Sequence, residues 1–291
     1  MTVDTTLAEK HSRHWFPALR LRSRRVPVPV LVGTAVLALW VVVALTVQWW
    51  APFGPLDPTS TRLSGPSLKH PFGTDALGRD VFTRTLYGAK ISLRIAVIVI
   101  AASAGLGCLV GAIAGFFRGW VDEVLMRISD ITLAFPPIVL AMAITAALGP
   151  GIGNAMIAMI IVWWPVYARL LRGQILVVRE QDHVLAAVAM GASPRRLMAR
   201  HILPLSMSSV LVNATMDFGQ VVLLAASLSF IGLGAVPPEP EWGAMIREGA
   251  ARFYHWWVAA GPGLAILSVA LASNFLGDGI RDFLDPSSRR R

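Results

Sequence analysis

RLLRGQILVVREQDHVLAAVAMGASPRRLMARHILP, residues 169–204, is a polar and basic segment set between long apolar runs. Its landmarks, in chain order, are Leu185-Ala186-Ala187, Gly191 and Leu203-Pro204. A chain that only needs to cross a bilayer has no use for a structured polar segment of this size. The segment therefore indicates a membrane protein that carries a docking element.

The composition excludes a soluble globular protein. Hydrophobic residues make up 55% of the 291-residue chain, charged residues make up 15%, and the mean hydropathy is +0.61, which is typical of a membrane protein. The length allows several spans of about 20 residues each, but no large soluble enzyme domain besides. The net charge of +9 does not indicate nucleic-acid binding, because the basic residues lie between apolar spans and not on one soluble face. Cys108, the single cysteine, lies in an apolar run, so we expect no disulfide framework and no cysteine metal site.

Uncharged runs predict six membrane-spanning helices in an all-α integral membrane protein. The helices lie within 28–50, 95–117, the two parts of 131–168 on either side of the glycine-rich segment 149–153, 209–233 and 257–276. Trp49 and Trp50 are placed to anchor the first helix at a membrane interface. Gly107, Gly111 and Gly115 place small residues four apart on the second helix, which predicts tight packing against another helix.

The distribution of basic residues predicts the orientation. Lysine and arginine are concentrated in the segments that lie on the same side as the N-terminus, so the positive-inside rule places both termini in the cytosol (N-in, C-in). The chain then divides into a cytosolic basic N-terminal tail (1–27), the first spanning helix (28–50), an extracytoplasmic loop with an interfacial helix (51–92), a five-helix core (93–280) with a cytosolic loop at 169–206, and a cytosolic C-terminal tail (281–291). The interfacial helix is expected at 78–90.

Within the cytosolic loop, the local sequence predicts helix, turn, helix. The first helix is expected over 179–190, and Gly191 suits the left-handed position that ends it. Ser193 is a good N-cap for the second helix, Pro194 fits its first turn, and Pro204 is expected to stop it. A compact elbow of this kind could seat in a groove of another protein. The alternative is a solvated basic loop, or one that pairs with anionic lipid.

The spacing within this loop resembles the EAA loop of ABC importer permeases, the element through which such permeases engage their ATPase subunits. Two alanines are followed after three residues by a glycine, and Leu-Pro begins twelve residues after that glycine. Further stretches resemble the peptide/nickel permeases of the dipeptide and oligopeptide C-subunit type: HPFGTDALGRDV at 70–81, and segments within 119–136, 228–243 and 277–286. The resemblance covers about residues 25–288.

The resemblance implies a type I ABC importer permease bundle with several spans in the cytoplasmic (inner) membrane of a prokaryote. It implies four kinds of partner: a homologous permease subunit, one or two ABC ATPase subunits, an extracytoplasmic peptide-binding protein, and membrane lipid. The implied function is ATP-driven import of di- or oligopeptides by alternating access. The chain has no GxxxxGK[ST] segment, the loop that cradles nucleotide phosphates. ATP and Mg are therefore expected on the ATPase subunits, and this chain is expected to be no enzyme and to hold no cofactor or metal.

The resemblance assigns ATPase coupling to one set of residues around the elbow: Leu185, Ala186, Ala187, Gly191, Ala192, Ser193, Pro194, Arg195, Leu203 and Pro204. Leu185 stands where the family often has glutamate, so coupling is expected to depend on the shape of the elbow and not on a charge at its head. Asp217 and Gln220, near the start of the fifth predicted helix, are candidates for the translocation path, because an ionisable group within a span is costly unless it has a use. The alternative for Asp217 is a structural hydrogen bond to a neighbouring helix or to the partner permease.

Two other functions stay open on the sequence. Permeases of the resembled type also carry nickel or other small solutes. In a different class of protein, a channel or secondary transporter that works without an ATPase, residues 169–204 would serve regulation or lipid binding. The near absence of ionisable residues within the spans leaves few groups for ion coupling, which favours the importer.

Overall fold

The structure is a computed structural model that describes residues 27–284. These residues form ten α-helices and one short π-helix, and no β-strand is found among them. The α-helices are α1 (Val28–Trp50), α2 (Val81–Phe117), α3 (Gly119–Leu133), α4 (Pro137–Leu148), α5 (Ile152–Arg179), α6 (Asp182–Ala189), α7 (Pro194–Leu197), α8 (Leu203–Ile231), α9 (Trp242–Ala250) and α10 (Trp257–Leu284), and the π-helix is Met198–Ile202. The predicted all-α fold is confirmed. The predicted basic tails lie outside the described residues at 1–26 and 285–291.

Five helical stretches are long and apolar enough to cross a membrane. They are α1, α2, α5, the continuous stretch Pro194–Ile231 that contains α8, and α10. α3 and α4 form a bent pair that makes a sixth crossing if the pair is counted as one span. The described residues therefore agree with the predicted number of spans, although several boundaries differ.

The predicted interfacial helix at 78–90 is wrong as a separate element. α2 runs without a break over 37 residues, from Val81 into the predicted second span. The Asp80 carboxylate caps its first turn by accepting a hydrogen bond from the Thr83 N–H at 2.7 Å. Arg84, in the first turn of α2, is buried beside Asp75 and Glu248. Because its charge is neutralised by these neighbours, the helix can continue past it into the bundle.

The helix predicted in the first part of 131–168 corresponds to α4 (Pro137–Leu148), but a separate helix, α3, precedes it. α3 begins earlier, at Gly119, and the chain bends by 89° between α3 and α4. The bend lies at Ala134-Phe135-Pro136, directly before the proline that opens α4. Proline disfavours the helical conformation in the residue before it and lacks the N–H that a helix interior needs, so two successive prolines break the helix here.

α2 and α5 run parallel and form the closest helix pair of the core. A Cβ atom on Gly107 or Gly111 of α2 would overlap the backbone of Trp164 or Ala168 in α5. Only glycine allows the two backbones to approach this closely. The packing role predicted for the small residues of this helix is confirmed.

α1 and α8 both run antiparallel to α10. Gly219 of α8 packs against Ala270, and Val30 of α1 contacts Gly279. The C-terminal ends of α2, α5 and α10 therefore lie at one end of the bundle, together with residues 180–202. We call this the loop end. The other end, which carries residues 51–80 and 232–256, is called the opposite end.

Candidate functional site

Residues 180–202 form an elbow at the loop end. α6 ends in a left-handed turn at Gly191, where φ is +81°, a conformation that glycine adopts at little cost. The Ala192 N–H donates to the Ala187 carbonyl at 3.0 Å, and the Gly191 N–H donates to the Val188 carbonyl at 2.9 Å. These two bonds are those of a Schellman motif, which satisfies the free carbonyls at the end of a helix. Pro194 then opens α7.

Three local predictions for the elbow are corrected by the structure. The first helix begins at Asp182 and not at 179, because α5 itself continues to Arg179. Ser193 occupies the N-cap position of α7, but its hydroxyl makes no cap hydrogen bond. Pro204 does not stop the second helix, since the stretch Pro194–Ile231 is continuous.

The π-helix Met198–Ile202 explains why the chain passes Pro204. The Leu203 N–H donates to the carbonyl of Met198, five residues earlier. This wider turn relieves the clash that a proline ring makes with the preceding turn of an α-helix, and Pro204 then lies in the first turn of α8, where its missing N–H costs little.

One side of α6 is packed and the other is open. Val184 and Ala187 are buried, and Val184 belongs to a cluster with Ile175 and Val178 at the end of α5. Leu185, Val188 and Met190 point outward, with exposed fractions of 54%, 52% and 82%. Between the elbow and the ends of α2 and α5 lies an apolar cleft of about 230 Å³. The elbow therefore presents an apolar surface and is only partly packed on the bundle.

The structure places the predicted coupling residues in two groups. The exposed members are Leu185, Ala186, Gly191, Ser193, Pro194, Arg195 and Pro204, whereas Ala187, Ala192 and Leu203 are buried or half-buried. Leu203 and Pro204 belong to the first turn of α8 and not to the α6–α7 turn. The elbow surface itself is formed by the exposed residues of 185–195.

Asp217 lies in the middle of α8 and not near its start, because α8 begins at Leu203. The Asn213 side-chain amide donates to the Asp217 carboxylate at 2.8 Å. Tyr167 and Trp163 of α5 face the same carboxylate. Gln220, one turn further along, is exposed. The two candidates for the path thus differ: Asp217 is half-buried between α5 and α8, and Gln220 is on the outer face of α8.

Sequence reasoning missed an ionic cluster at the opposite end. Arg79 donates to Asp75 at 2.6 Å and to Glu248 at 3.3 Å. Arg84 lies 3.4 Å from Asp75 and 3.8 Å from Glu248. Both arginines are buried. The closely spaced charged residues within 75–84 were the sign of this cluster in the sequence. Glu248 lies in α9, and only the fold brings it to the two arginines.

A second missed residue is Glu241, which caps α9 and is fully buried. Its carboxylate accepts hydrogen bonds from the N–H groups of Gly243 at 3.0 Å and Ala244 at 2.9 Å. Burial raises the pKa of Glu241, and the two backbone N–H donors oppose that shift. Within 3.5 Å of this carboxylate lies the Ser92 hydroxyl of α2, so Glu241 connects α9 to the core.

Comparison with known proteins gives a consistent result. The family model described as "Binding-protein-dependent transport system inner membrane component" matches residues 107–290. The chain is 42% identical over 266 residues to a dipeptide transport system permease protein from Alkalihalophilus pseudofirmus, covering 89% of this chain and 86% of that protein. It is 46% identical over 253 residues to a glutathione transport system permease protein from Escherichia coli O157:H7, covering 85% and 83%.

Two further similarities agree. A probable D,D-dipeptide transport system permease protein from Escherichia coli K12 is 46% identical over 266 residues, covering 89% of this chain and 88% of that protein. Among solved structures, an inward-facing MetNI methionine ABC transporter matches with a TM-score of 0.52 at 18% identity, covering 66% of this chain and 94% of that one. That structural likeness concerns the fold, which is the fold of a type I ABC importer permease.

Proposed function

The chain belongs to the binding-protein-dependent transport system inner membrane components and is a multi-pass permease subunit of an ABC importer, and from that premise we propose that it moves di- or oligopeptides into the cell, driven by separate ATPase subunits that dock on the elbow. The loop end then faces the cytosol and the opposite end faces outward. The named relatives carry dipeptides and glutathione, which supports a peptide as the substrate.

The elbow is the observation that carries this proposal. Leu185, Val188 and Met190 are exposed apolar side chains at a bundle end whose surroundings are also basic, through Arg195 and Arg196. Apolar side chains placed among charges are unsuited to the hydrocarbon core and gain nothing in water, so their exposure indicates a protein partner. A homologous importer needs an ATPase at this end, and the elbow offers a compact surface for it.

The translocation path is proposed along one face of α8. Residues at helical spacing on this face are polar or exposed: Ser209, Asn213, Gln220, Leu223, Ser227 and Phe230. The Ser227 hydroxyl donates to the Leu223 carbonyl of its own helix at 2.8 Å, but the exposed Gln220 amide would be unsatisfied among lipid tails, so this face belongs beside water or another protein. We place the path between this face and the partner permease, with Asp217 behind it as a fixed polar group.

A rigid connection between elbow and path follows from the continuity of Pro194–Ile231. A displacement of α7 is transmitted along this stretch to the α8 face without an intervening loop. Closure of the ATPase dimer would therefore rock α8 and switch the path between outward and inward openings. In this mechanism Gly191 sets the angle at which α6 meets α7.

The experiment is Gly191→Trp in the assembled importer, reconstituted in vesicles. A tryptophan must adopt φ near +81° at a site that only glycine favours, and its indole would project from the docking surface. We expect normal membrane insertion and loss of ATP-driven peptide uptake. Gly191→Asn, which tolerates the left-handed conformation, should retain most uptake.

Gly105→Trp is the matched control, because Gly105 lies on α2 with open space around it and an ordinary helical backbone. Uptake by Gly191→Trp at the rate of Gly105→Trp would refute coupling through the elbow. Uptake that continues in vesicles without ATP would instead indicate a channel or secondary transporter.

A further inference from the structure

A cavity of about 460 Å³ opens at the opposite end, between the start of α2, the segment after α8, and α9. Its volume is in the range of small-molecule sites. Four arginines and two glutamates line it: Arg79, Arg84, Arg247, Arg252, Glu239 and Glu248. With Asp75, which contacts both Arg79 and Arg84, three carboxylates face the four arginines, so an excess of one positive charge remains and attracts an anion.

The two groups of arginines differ in their partners. Arg79 and Arg84 form the buried side of the cavity, and Asp75 and Glu248 neutralise them. Arg247 and Arg252 form no ion pair with any residue in 27–284, and the one hydrogen bond of the Arg252 side chain there is to the backbone carbonyl of Glu248 at 3.2 Å. Their guanidinium groups therefore supply the excess charge.

The cavity adjoins the outer end of the α8 face. A Cβ atom on Gly232, the residue that ends α8, would stand 2.6 Å from a guanidinium nitrogen of Arg247. Phe230, the last member of the α8 face, is two residues before that glycine. A solute entering along the α8 face therefore passes Arg247 first.

We propose that Arg247 and Arg252 bind the free C-terminal carboxylate of the incoming peptide at the mouth of the path. Paired N–H donors of a guanidinium match the two oxygens of a carboxylate, and such charge-assisted bonds are the strong ones. Arg79 stays paired with Asp75 and Glu248 on the buried side of the cavity, so the carboxylate is left to Arg247 and Arg252. The inference rests on the proposed peptide transport and adds the chemical group by which the peptide is recognised.

The first test measures binding without transport. The assembled wild-type importer in nanodiscs is treated with phenylglyoxal, which modifies arginine, and each site is followed by mass spectrometry. Glycylglycine should slow modification of Arg247 and Arg252, whereas glycylglycinamide, which lacks the carboxylate, should not. Arg62 is exposed at the same end and does not line the cavity, so its modification should not change with either peptide.

The second test uses the variants Arg247→Gln and Arg252→Gln, singly and together, in vesicles. Loss of a hydrogen bond to a charged group weakens binding by about tenfold, so each variant should raise the dipeptide concentration for half-maximal uptake up to about tenfold, and the double variant by more. The lysine variants keep the charge without the paired donors and should lie between. Arg62→Gln is the matched control and should equal the wild type.

Three outcomes would overturn the assignment. One is equal protection by glycylglycine and its amide, and another is an unchanged half-saturating concentration in the double variant. The third is that a ligand-free binding protein protects Arg247 and Arg252 from modification and glycylglycine does not. The arginines would then bind a carboxylate of the binding protein and not that of the peptide. A wild-type importer that takes up no peptide in an ATP-dependent assay would contradict the proposed function itself, which separates the two failures.

Discussion

Met190→Asp tests the elbow as a docking surface at its most exposed apolar side chain. Complete burial of a methionine stabilises by about 1.5–3 kcal/mol, and 82% of Met190 is exposed, so a partner that covers it gains about 1.2–2.5 kcal/mol. An aspartate forfeits that gain and adds the desolvation of a carboxylate, which costs at least as much as that of a neutral polar group, about 1–3 kcal/mol. The expected loss is about 2–5 kcal/mol, or at least about a 30-fold weaker complex.

The assay titrates purified ATPase subunits onto the permease pair in nanodiscs and measures the dissociation constant, with ATP-driven uptake in vesicles as a second reading. Because Met190 packs little on its own chain, the free energy of unfolding should change by no more than about 0.5 kcal/mol. A normal melting curve beside a weakened complex would locate the effect at the docking surface.

Leu68→Asp is the control for Met190→Asp. Leu68 is fully exposed at the opposite end, so the same kind of substitution there should leave ATPase binding unchanged. If Met190→Asp binds the ATPase as tightly as Leu68→Asp does, the exposed apolar side chains of the elbow do not form the docking contact, and the proposed coupling surface is wrong.

Two further predictions concern the bundle. Gly111→Val should destabilise the permease by about 3 kcal/mol or more, since the new side chain would overlap the Ala168 backbone; detergent melting of Gly111→Val against Gly105→Val measures this, and equal melting temperatures would contradict it. Glu241→Gln should flatten the pH dependence of stability. Burial raises the pKa of Glu241 above its ordinary value of 4.5, so its contribution to the free energy of unfolding is full below that value and is lost as pH rises through the folded-state pKa. Melting curves between about pH 4 and 8 measure the slope, and a variant as steep as the wild type would show that Glu241 is not its source.

The elbow could be predicted from the sequence because its geometry depends on neighbouring residues. The left-handed turn at Gly191 and the helix start at Pro194 follow from the backbone preferences of those two residues alone. The conformation of the chain after the elbow, at Pro204, could not be predicted in the same way. Proline generally ends a helix, but here the π-helix before Pro204 relieves the strain, and no local preference signals that π-helix.

Span boundaries were predicted less well because charges were used as markers of the membrane surface. In the sequence, Arg84 is a charged residue with no visible partner. In the fold it lies beside Glu248, which is distant along the chain. Asp130 likewise forms an ion pair with Arg169 of α5. A neutralised charge no longer limits a helix to the membrane surface, and the partner that neutralises it is set by tertiary packing. The length of α2 therefore could not be read from its charges, whereas Pro136-Pro137 were a local signal for the α3–α4 bend.

The same distinction separates structural charges from those available to a ligand. Arginines that pair within the described chain, such as Arg79 and Arg172, fix one helix against another. Arginines with no ion pair among residues 27–284 lie at the two ends, at Arg247 and on the elbow at Arg195. In the proposed importer these are the ends that meet the peptide and the ATPase. Leu185 fits this division, because its apolar side chain is exposed as those of Val188 and Met190 are, so a docking contact here depends on apolar burial flanked by positive charge and does not need a glutamate at that position.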